Sequence, residues 1–119
     1  MKAKMDKIRV FHNTRCSKSN EVVKMLQEQN LSPEVKLYLL DPLNEEELKS
    51  MLKGYVGELK ELVRVKDAKK IGVLLPLEFT LDEVFDLLKE HPQLMERPVV
   101  SKNGKYIVAR PAEKAQIIL

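Results

Sequence analysis

The sequence predicts an α/β fold in which a βαβ half and a ββα half surround a four-stranded mixed sheet, with a helical insertion between the halves. Three observations predict this class. A short β-branched run precedes a stretch of helical period, two helix-start signals stand in the middle, and an Asn-Gly turn joins two apolar runs near the end. We expect a single domain over residues 1–119, which is long enough to bury a core without disulfides or a metal.

The βαβ half comes first. The apolar run from Ile8 to Phe11 is typical of a strand, and from Ser17 the apolar residues recur at helical spacing for about three turns, until Ser32-Pro33 ends the helix. Polar and apolar residues alternate over 34–40, which predicts a second strand, parallel to the first. The residues of that strand expected to face the core are Val35, Leu37 and Leu39.

The middle of the chain is predicted to be helical. Asn44 before three glutamates is typical of an N-cap with an acidic first turn. A short helix is expected over 58–63, and Thr80 with Glu83 matches a capping box that begins another helix. The stretch 65–79 has no clear period and is predicted to be irregular.

The end of the chain carries a hairpin signal. Asn103-Gly104 lies between the apolar pair Val99-Val100 and the run 106–108, which predicts two antiparallel strands joined by a tight turn. Pro111 is then expected at the first position of a final helix. The complete order, β-α-β, helices, β-β-α, is that of a thioredoxin-like fold with a helical insertion.

Composition limits the classes of function. Charged residues are 33% and apolar residues 44%, as in a soluble globular protein, and a net charge of +3 is too small and scattered to indicate nucleic-acid binding. No apolar run has the length of a membrane span, and the start of the chain lacks the apolar core of a signal peptide. With one cysteine, an internal disulfide is impossible. We therefore expect a cytoplasmic protein, and any redox cycle needs a second thiol from outside.

Cys16 lies where the first strand turns into the first helix. A helix N-terminus offers free N–H groups and the positive end of the helix dipole, and both favour a thiolate. Arg15, Lys18 and His12 make the surroundings polar and electropositive, which predicts a reactive cysteine with a lowered pKa. The alternative is a small structural residue, but buried structural cysteines have apolar neighbours.

The residues around Cys16 also suit an oxyanion. Ser17 and Ser19 place hydroxyl groups at a helix start that already favours negative charge, although N-capping is the simpler role for either. His12 either polarises the thiol or ends the strand with a backbone partner. Asn13 is expected to be a turn residue that fixes the loop.

Arg64, Arg97 and Arg110 are candidate ligands for a tetrahedral oxyanion, because guanidinium groups donate hydrogen bonds in pairs. Arg97 precedes Pro98 at the start of a strand. In a thioredoxin-like arrangement this proline is expected in a cis bond facing the cysteine loop, with Arg97 directed towards Cys16. For each arginine taken alone, the simpler interpretation is a surface ion pair with a nearby glutamate, and the candidates are Glu61, Glu96 and Glu113.

Three motifs, in the same order along the chain, resemble the glutaredoxin-coupled arsenate reductase family. The stretch from His12 to Ser19 resembles the active-site loop, Glu96 to Val100 the second signature, and Gly104 to Glu113 the third. Leu62-Val63-Arg64 falls where the family has its first arginine. The resemblance covers nearly the whole chain and implies a thioredoxin-like fold.

The resemblance also implies a mechanism. Cys16 would be the nucleophile that forms a covalent adduct with arsenate, which glutathione and then glutaredoxin resolve to arsenite. No bound cofactor is implied, and glutathione would be a co-substrate. The remaining implied site residues are His12 and Asn13, which tune the cysteine and hold the loop, and Arg64, Arg97 and Arg110, which bind arsenate and stabilise the adduct.

Two departures from the family pattern leave other functions open. The cysteine is followed by Ser-Lys-Ser rather than Gly-Thr-Ser, and the segment after Arg64 differs from the usual sequence. One alternative is a glutathione-dependent reductase of another substrate. A second is an Spx-like regulator that binds RNA polymerase, although Ser19 stands where its Cys-x-x-Cys switch needs a cysteine. A third is a thioredoxin-like adaptor with an inert cysteine.

One cysteine and two histidines do not have the spacing of a metal site.

Overall fold

A four-stranded mixed sheet organises the computed structural model, which describes residues 7–119. The strand order is β2-β1-β3-β4; β1 runs parallel to β2 and antiparallel to β3, and β3 runs antiparallel to β4. The strands are β1 (Ile8–Phe11), β2 (Glu34–Lys36), β3 (Val99–Lys102) and β4 (Lys105–Val108). The predicted α/β class with a mixed sheet is confirmed. Residues 1–6, where the absence of a signal peptide was predicted, lie outside the described residues.

Two α-helices, those that begin at Glu45 and Leu81, start at the caps that the sequence indicates, Asn44 and Thr80. The Glu47 N–H donates to Asn44 Oδ1 at 2.8 Å and the Asn44 N–H to Glu47 Oε1 at 3.3 Å, while Thr80 Oγ1 accepts from the Glu83 N–H at 3.2 Å. The α-helices are α1 (Ser17–Glu28), α2 (Glu45–Gly54), α3 (Val65–Lys70) and α4 (Leu81–Glu90). Short 3₁₀ helices cover Leu59–Leu62, Pro92–Leu94 and Ala112–Ile117.

The core occupies both faces of the sheet, because successive strand residues point to opposite sides. Phe11 and Val99 pack on one face with residues of α2 and α4. Val10 and Val100 pack on the other face, against α1 and the C-terminal 3₁₀ helix.

The prediction for the second strand is wrong in its length and in its buried face. β2 ends at Lys36, and a turn follows in which Leu37 O accepts the N–H groups of Leu40 and Asp41. The turn breaks the alternation and carries Tyr38 into the core, where it is 1% exposed. The three residues expected to face the core are instead exposed: Val35 by 41%, Leu37 by 36% and Leu39 by 43%.

The stretch predicted to be irregular contains α3. Ala68 is fully buried, and Arg64 and Asp67 form an ion pair across the first turn of α3, so both packing and charge favour a helix. Six residues are too few to reveal a helical period, which is why the sequence pattern missed it. Residues 71–79 lack regular structure, as predicted.

The final helix differs from its prediction in type and in its first residue. Pro111 has extended backbone angles, φ −71° and ψ 169°, and precedes the helix instead of occupying its first position. The helix is 3₁₀, with Ala115 buried against the core and Ile117 exposed.

Candidate functional site

The register of the sheet brings three segments together at one end. Phe11, the last residue of β1, pairs with Val99 at the start of β3, and Val99 pairs with Val108 at the end of β4. The loop after β1, the residues before β3 and those after β4 therefore meet. These segments carry Cys16, Arg97 and Arg110. The Arg97–Pro98 bond is cis, as predicted, and Arg110–Pro111 is also cis.

The cysteine loop is held by its own hydrogen bonds. The Cys16 N–H donates to Asn13 O at 3.0 Å, and Asn13 Oδ1 accepts the Arg15 N–H at 2.9 Å. The Asn13 N–H in turn donates to Ser19 Oγ at 3.2 Å, and Ser19 is fully buried. Asn13 thus closes the turn and Ser19 ties it to the helix.

Cys16 itself is the N-cap residue of α1, and its side chain makes no capping hydrogen bond. The expectation that a serine caps this helix is wrong, because Ser17 and Ser19 lie inside its first turn. Ser17 is exposed. The sulfur therefore stands at the helix N-terminus with the free backbone N–H groups around it.

The surroundings of Cys16 stabilise its thiolate. Arg110 Nη1 lies 3.8 Å from the sulfur. Partial burial opposes ionisation, but the backbone N–H of Ser19, the Arg97 guanidinium and the backbone N–H of Lys18 outweigh it and hold the pKa of Cys16 below its ordinary value. A lowered pKa gives more thiolate at neutral pH, and the thiolate is the nucleophilic form.

His12 is buried beside the loop, with 6% of its surface exposed. Its backbone N–H donates to Lys36 O at 2.8 Å, and its Nδ1 has no hydrogen-bond partner among the described residues. Burial lowers the pKa of His12, against an opposing hydrogen bond with the side chain of Asn20. Asn20 also donates from Nδ2 to Thr14 O at 3.0 Å, so it braces the loop in a way that sequence inspection missed.

The three arginines are held differently. Arg110 Nη1 donates to Arg97 O at 3.0 Å. Arg64 pairs through Nε with Asp67 at 2.7 Å and through Nη1 with Glu96 at 2.5 Å. Arg97 Nε is buried and has no partner among residues 7–119. A buried guanidinium donor without an acceptor is unusual, and such a donor can bind an anion that reaches it.

Two further residues belong to this arrangement and were missed as site residues. The sequence indicates Glu96 only as an ordinary ion-pair partner. It does pair with Arg64, and it also lies 3.6 Å from Arg110 Nη1. Tyr38 is buried and its hydroxyl lies 3.4 Å from Met95 O. Burial raises the pKa of Tyr38, against the opposing charges of Arg97 and Arg64. No local signal marks Tyr38, because its burial follows from the turn after β2.

An open cleft of about 350 Å³ adjoins the cysteine loop. One wall is polar and belongs to the loop, and the other is apolar and follows β2. The lining residues are His12, Asn13, Thr14, Arg15, Leu37, Leu39 and Leu40. The cleft gives a molecule from solvent access to the loop that ends at Cys16.

Comparison with known proteins agrees with this geometry. The model of the ArsC family matches residues 11–118. The chain belongs to the ArsC family. Among ArsC relatives, an arsenate reductase from Neisseria meningitidis serogroup A is 37% identical over 97% of this chain and 100% of its own length. One from Haemophilus influenzae is 32% identical over 92% of this chain and 97% of its own.

A solved ArsC structure supports the fold. The arsenate reductase from Vibrio cholerae superposes with a TM-score of 0.78 at 31% identity, covering 96% of this chain and 98% of its own. The predicted family and thioredoxin-like fold are confirmed, as is the prediction of an enzyme of the arsenate reductase type. Within the described part of the chain, no helix is both long and apolar enough to span a membrane.

Proposed function

We propose that the chain is a thiol-dependent arsenate reductase in which Cys16 is the nucleophile and Arg64, Arg97 and Arg110 bind the oxyanion. The observation that carries the proposal is the contact of Arg110 with the Cys16 sulfur, 3.8 Å from Nη1, beside the buried Nε of Arg97, for which the described part of the chain offers no acceptor. The same guanidinium groups that favour the thiolate can receive the oxygens of a tetrahedral anion.

The chemistry follows from a thiolate beside arginine donors. The Cys16 sulfur forms a bond to arsenic, and one arsenate oxygen leaves as water after protonation. Reduction of arsenic(V) to arsenic(III) takes two electrons, which two thiols supply when they join in a disulfide. Because the chain has one cysteine, a thiol from outside must take part.

We infer that glutathione is this external thiol and that glutaredoxin then regenerates the enzyme. The cleft beside the loop supports the inference, since Arg15 offers a charge for a carboxylate and the leucines offer an apolar wall. A cycle that needs reduced thiols suits the cytoplasm, where we place the protein. In the same proposal His12 and Asn13 hold and tune the loop, while Ser17 and Ser19 contribute the helix-start donors.

Arsenite production from arsenate, with glutathione and glutaredoxin present, tests the proposal. The comparison is between the native chain and Cys16→Ser. Serine is a preferred N-cap residue, so this variant should keep α1 and its circular dichroism spectrum. Arg9→Lys is a matched control, because Arg9 is also held by two carboxylates, Glu34 and Glu47, but belongs to β1.

The proposal would be supported if the native chain and Arg9→Lys both produce arsenite and Cys16→Ser produces none. No turnover by a native chain whose Cys16 still reacts rapidly with iodoacetamide would reject arsenate as the substrate. Reduction of another oxyanion would then indicate a different reductase of this family, and capture of RNA polymerase without turnover would indicate a regulator.

A further inference from the structure

One carboxylate oxygen lies among the arginines of the site. Glu96 Oε1 accepts from Arg64 Nη1 at 2.5 Å and from the backbone N–H of Arg97 at 3.2 Å, and it lies 3.6 Å from Arg110 Nη1. Two of the arginines proposed to bind the oxyanion therefore approach this atom with their guanidinium groups, and Arg97 approaches it with its backbone N–H. The Glu96 side chain is 22% exposed, so solvent screens these contacts only in part.

Backbone pairing places Glu96 at this point. The Glu96 N–H donates to Leu62 O at 2.7 Å, and the Arg64 N–H donates to Leu94 O, also at 2.7 Å. A bridge between Val63 and Met95 completes this antiparallel contact. The segment that carries Arg64 is thereby fixed beside the segment that leads into β3.

We propose that Glu96 is a positioning residue of the oxyanion site, which holds Arg64 and Arg110 in place and sets the positive charge that remains for the ligand. The inference rests on the proposed function, because it assumes that these arginines receive an anion. Glu96 touches the arginines and acts through them.

The charges of the cluster support this role. The guanidinium groups of Arg64 and Arg110 contact Glu96, Arg64 also pairs with Asp67, and the Arg97 guanidinium lies beside Cys16. Three positive and two negative side chains leave one net positive charge before Cys16 ionises. Without Glu96 the arginines would repel one another and turn towards solvent. With it, Arg110 is held between Glu96 and Arg97 O while its Nη1 remains 3.8 Å from the sulfur.

A purely structural ion pair would explain the contact with Arg64 but not the whole arrangement. A surface pair is worth little, and it requires neither a third arginine nor a guanidinium that also reaches a reactive sulfur. The two explanations predict different effects of the charge of Glu96 on Cys16, and that difference can be measured.

Glu96→Gln removes the charge and keeps the shape. The guanidinium of Arg110 is then less neutralised, so Cys16 should ionise at lower pH than in the native chain. The uncharged amide oxygen of glutamine is a weaker acceptor that holds the arginines less firmly, so anion binding should weaken by about tenfold, the difference that one charge-assisted contact makes. If Glu96 positions the arginines, Glu96→Gln should therefore show two effects together: Cys16 ionises at lower pH, and the site binds anions more weakly.

The experiment measures the rate of Cys16 alkylation by iodoacetamide as a function of pH, with and without arsenate or sulfate. The variants are Glu96→Gln, Glu96→Asp, which keeps the charge, and the control Glu34→Gln, which removes a carboxylate paired with Arg9. Circular dichroism verifies the fold of each. In Glu96→Gln, the pH midpoint of Cys16 alkylation should be lower than in the native chain, and protection of Cys16 should require about tenfold more anion. Both quantities should stay nearer their native values in Glu96→Asp.

A midpoint in Glu96→Gln that is unchanged or raised would overturn the positioning role, as would native protection by the anions in that variant. If neither anion protects the native chain, the proposed function fails at its binding step. The midpoints of the two Glu96 variants then still decide whether Glu96 controls the charge around Cys16.

Discussion

Cys16 and Arg110 are 94 residues apart in the sequence, yet Arg110 Nη1 lies 3.8 Å from the Cys16 sulfur. The contact depends on the pairing of β1 with β3 and of β3 with β4, which aligns the ends of three segments. A shift in either register would separate the Cys16 sulfur from the Arg110 guanidinium. The site is therefore a property of the whole sheet rather than of the cysteine loop alone.

Replacing Arg97 should make Cys16 a weaker nucleophile at neutral pH. The Arg97 guanidinium helps to hold the pKa of Cys16 low, so Arg97→Gln should raise that pKa and slow alkylation at pH 7 by about tenfold. Alkylation rates across a pH series measure the effect, and Arg9→Gln is the control. Equal midpoints in the native chain and Arg97→Gln would contradict the assignment.

The two serines after Cys16 should differ sharply in their contribution to stability. Ser19 is fully buried and accepts the Asn13 N–H, so Ser19→Ala leaves that donor unpaired and should lower the free energy of unfolding by about 1–3 kcal/mol. Ser17 is exposed, and Ser17→Ala should change the free energy of unfolding by less than about 0.5 kcal/mol. Urea denaturation compares the two, and similar losses would show that the Ser19 hydroxyl does not hold the loop.

Gly54 should tolerate no side chain. A Cβ at this position would lie 2.1 Å from the carbonyl oxygen of Gly104 in the β3–β4 turn, and both partners are backbone. Gly54→Ala should therefore destabilise the fold by about 1–3 kcal/mol or more, measured by thermal or urea unfolding. Gly72 is the control, since a Cβ there meets nothing within 4 Å and only its positive φ opposes alanine, at about 1–2 kcal/mol. A loss no larger at Gly54 than at Gly72 would disprove the close contact.

Acidification should weaken the fold through His12. Burial lowers the pKa of His12, so the folded chain favours the neutral ring. The contribution of the neutral His12 ring to the free energy of unfolding is fully present above the unfolded pKa of about 6.5. It is lost as the pH falls through the lower pKa that His12 has in the folded chain. His12→Gln should remove this part of the pH dependence, which urea denaturation between neutral and mildly acidic pH measures. Titration of His12 by NMR at or above its ordinary pKa would refute the prediction.

Local chemistry made much of the fold predictable. Asn44 and Thr80 cap helices by bonding backbone N–H groups three residues away, and Asn103-Gly104 adopts the positive φ angles of its turn, so neighbouring residues suffice. The buried face of β2 was not predictable in this way. Whether Tyr38 or Leu37 enters the core depends on where β2 stops pairing with β1.

The site was predictable to a similar extent. The position of Cys16 at the start of a helix follows from the change of period after Phe11. The role proposed for Glu96 could not be predicted from the neighbouring residues. Its neighbour Arg97 donates only a backbone N–H to it, and its charged partner Arg64 lies 32 residues earlier in the sequence. Only the pairing of distant segments, which no local pattern reports, brings these groups together.

The early end of β2 also shortens an edge that another chain could pair with. β2 is an edge of the sheet, and an edge strand offers unpaired backbone groups to another chain. If β2 continued to Leu40, a long edge lined by exposed leucines would be open to strand addition and aggregation. The turn at Leu37 instead leaves a short edge whose Glu34 and Lys36 are charged, which discourages edge-to-edge pairing.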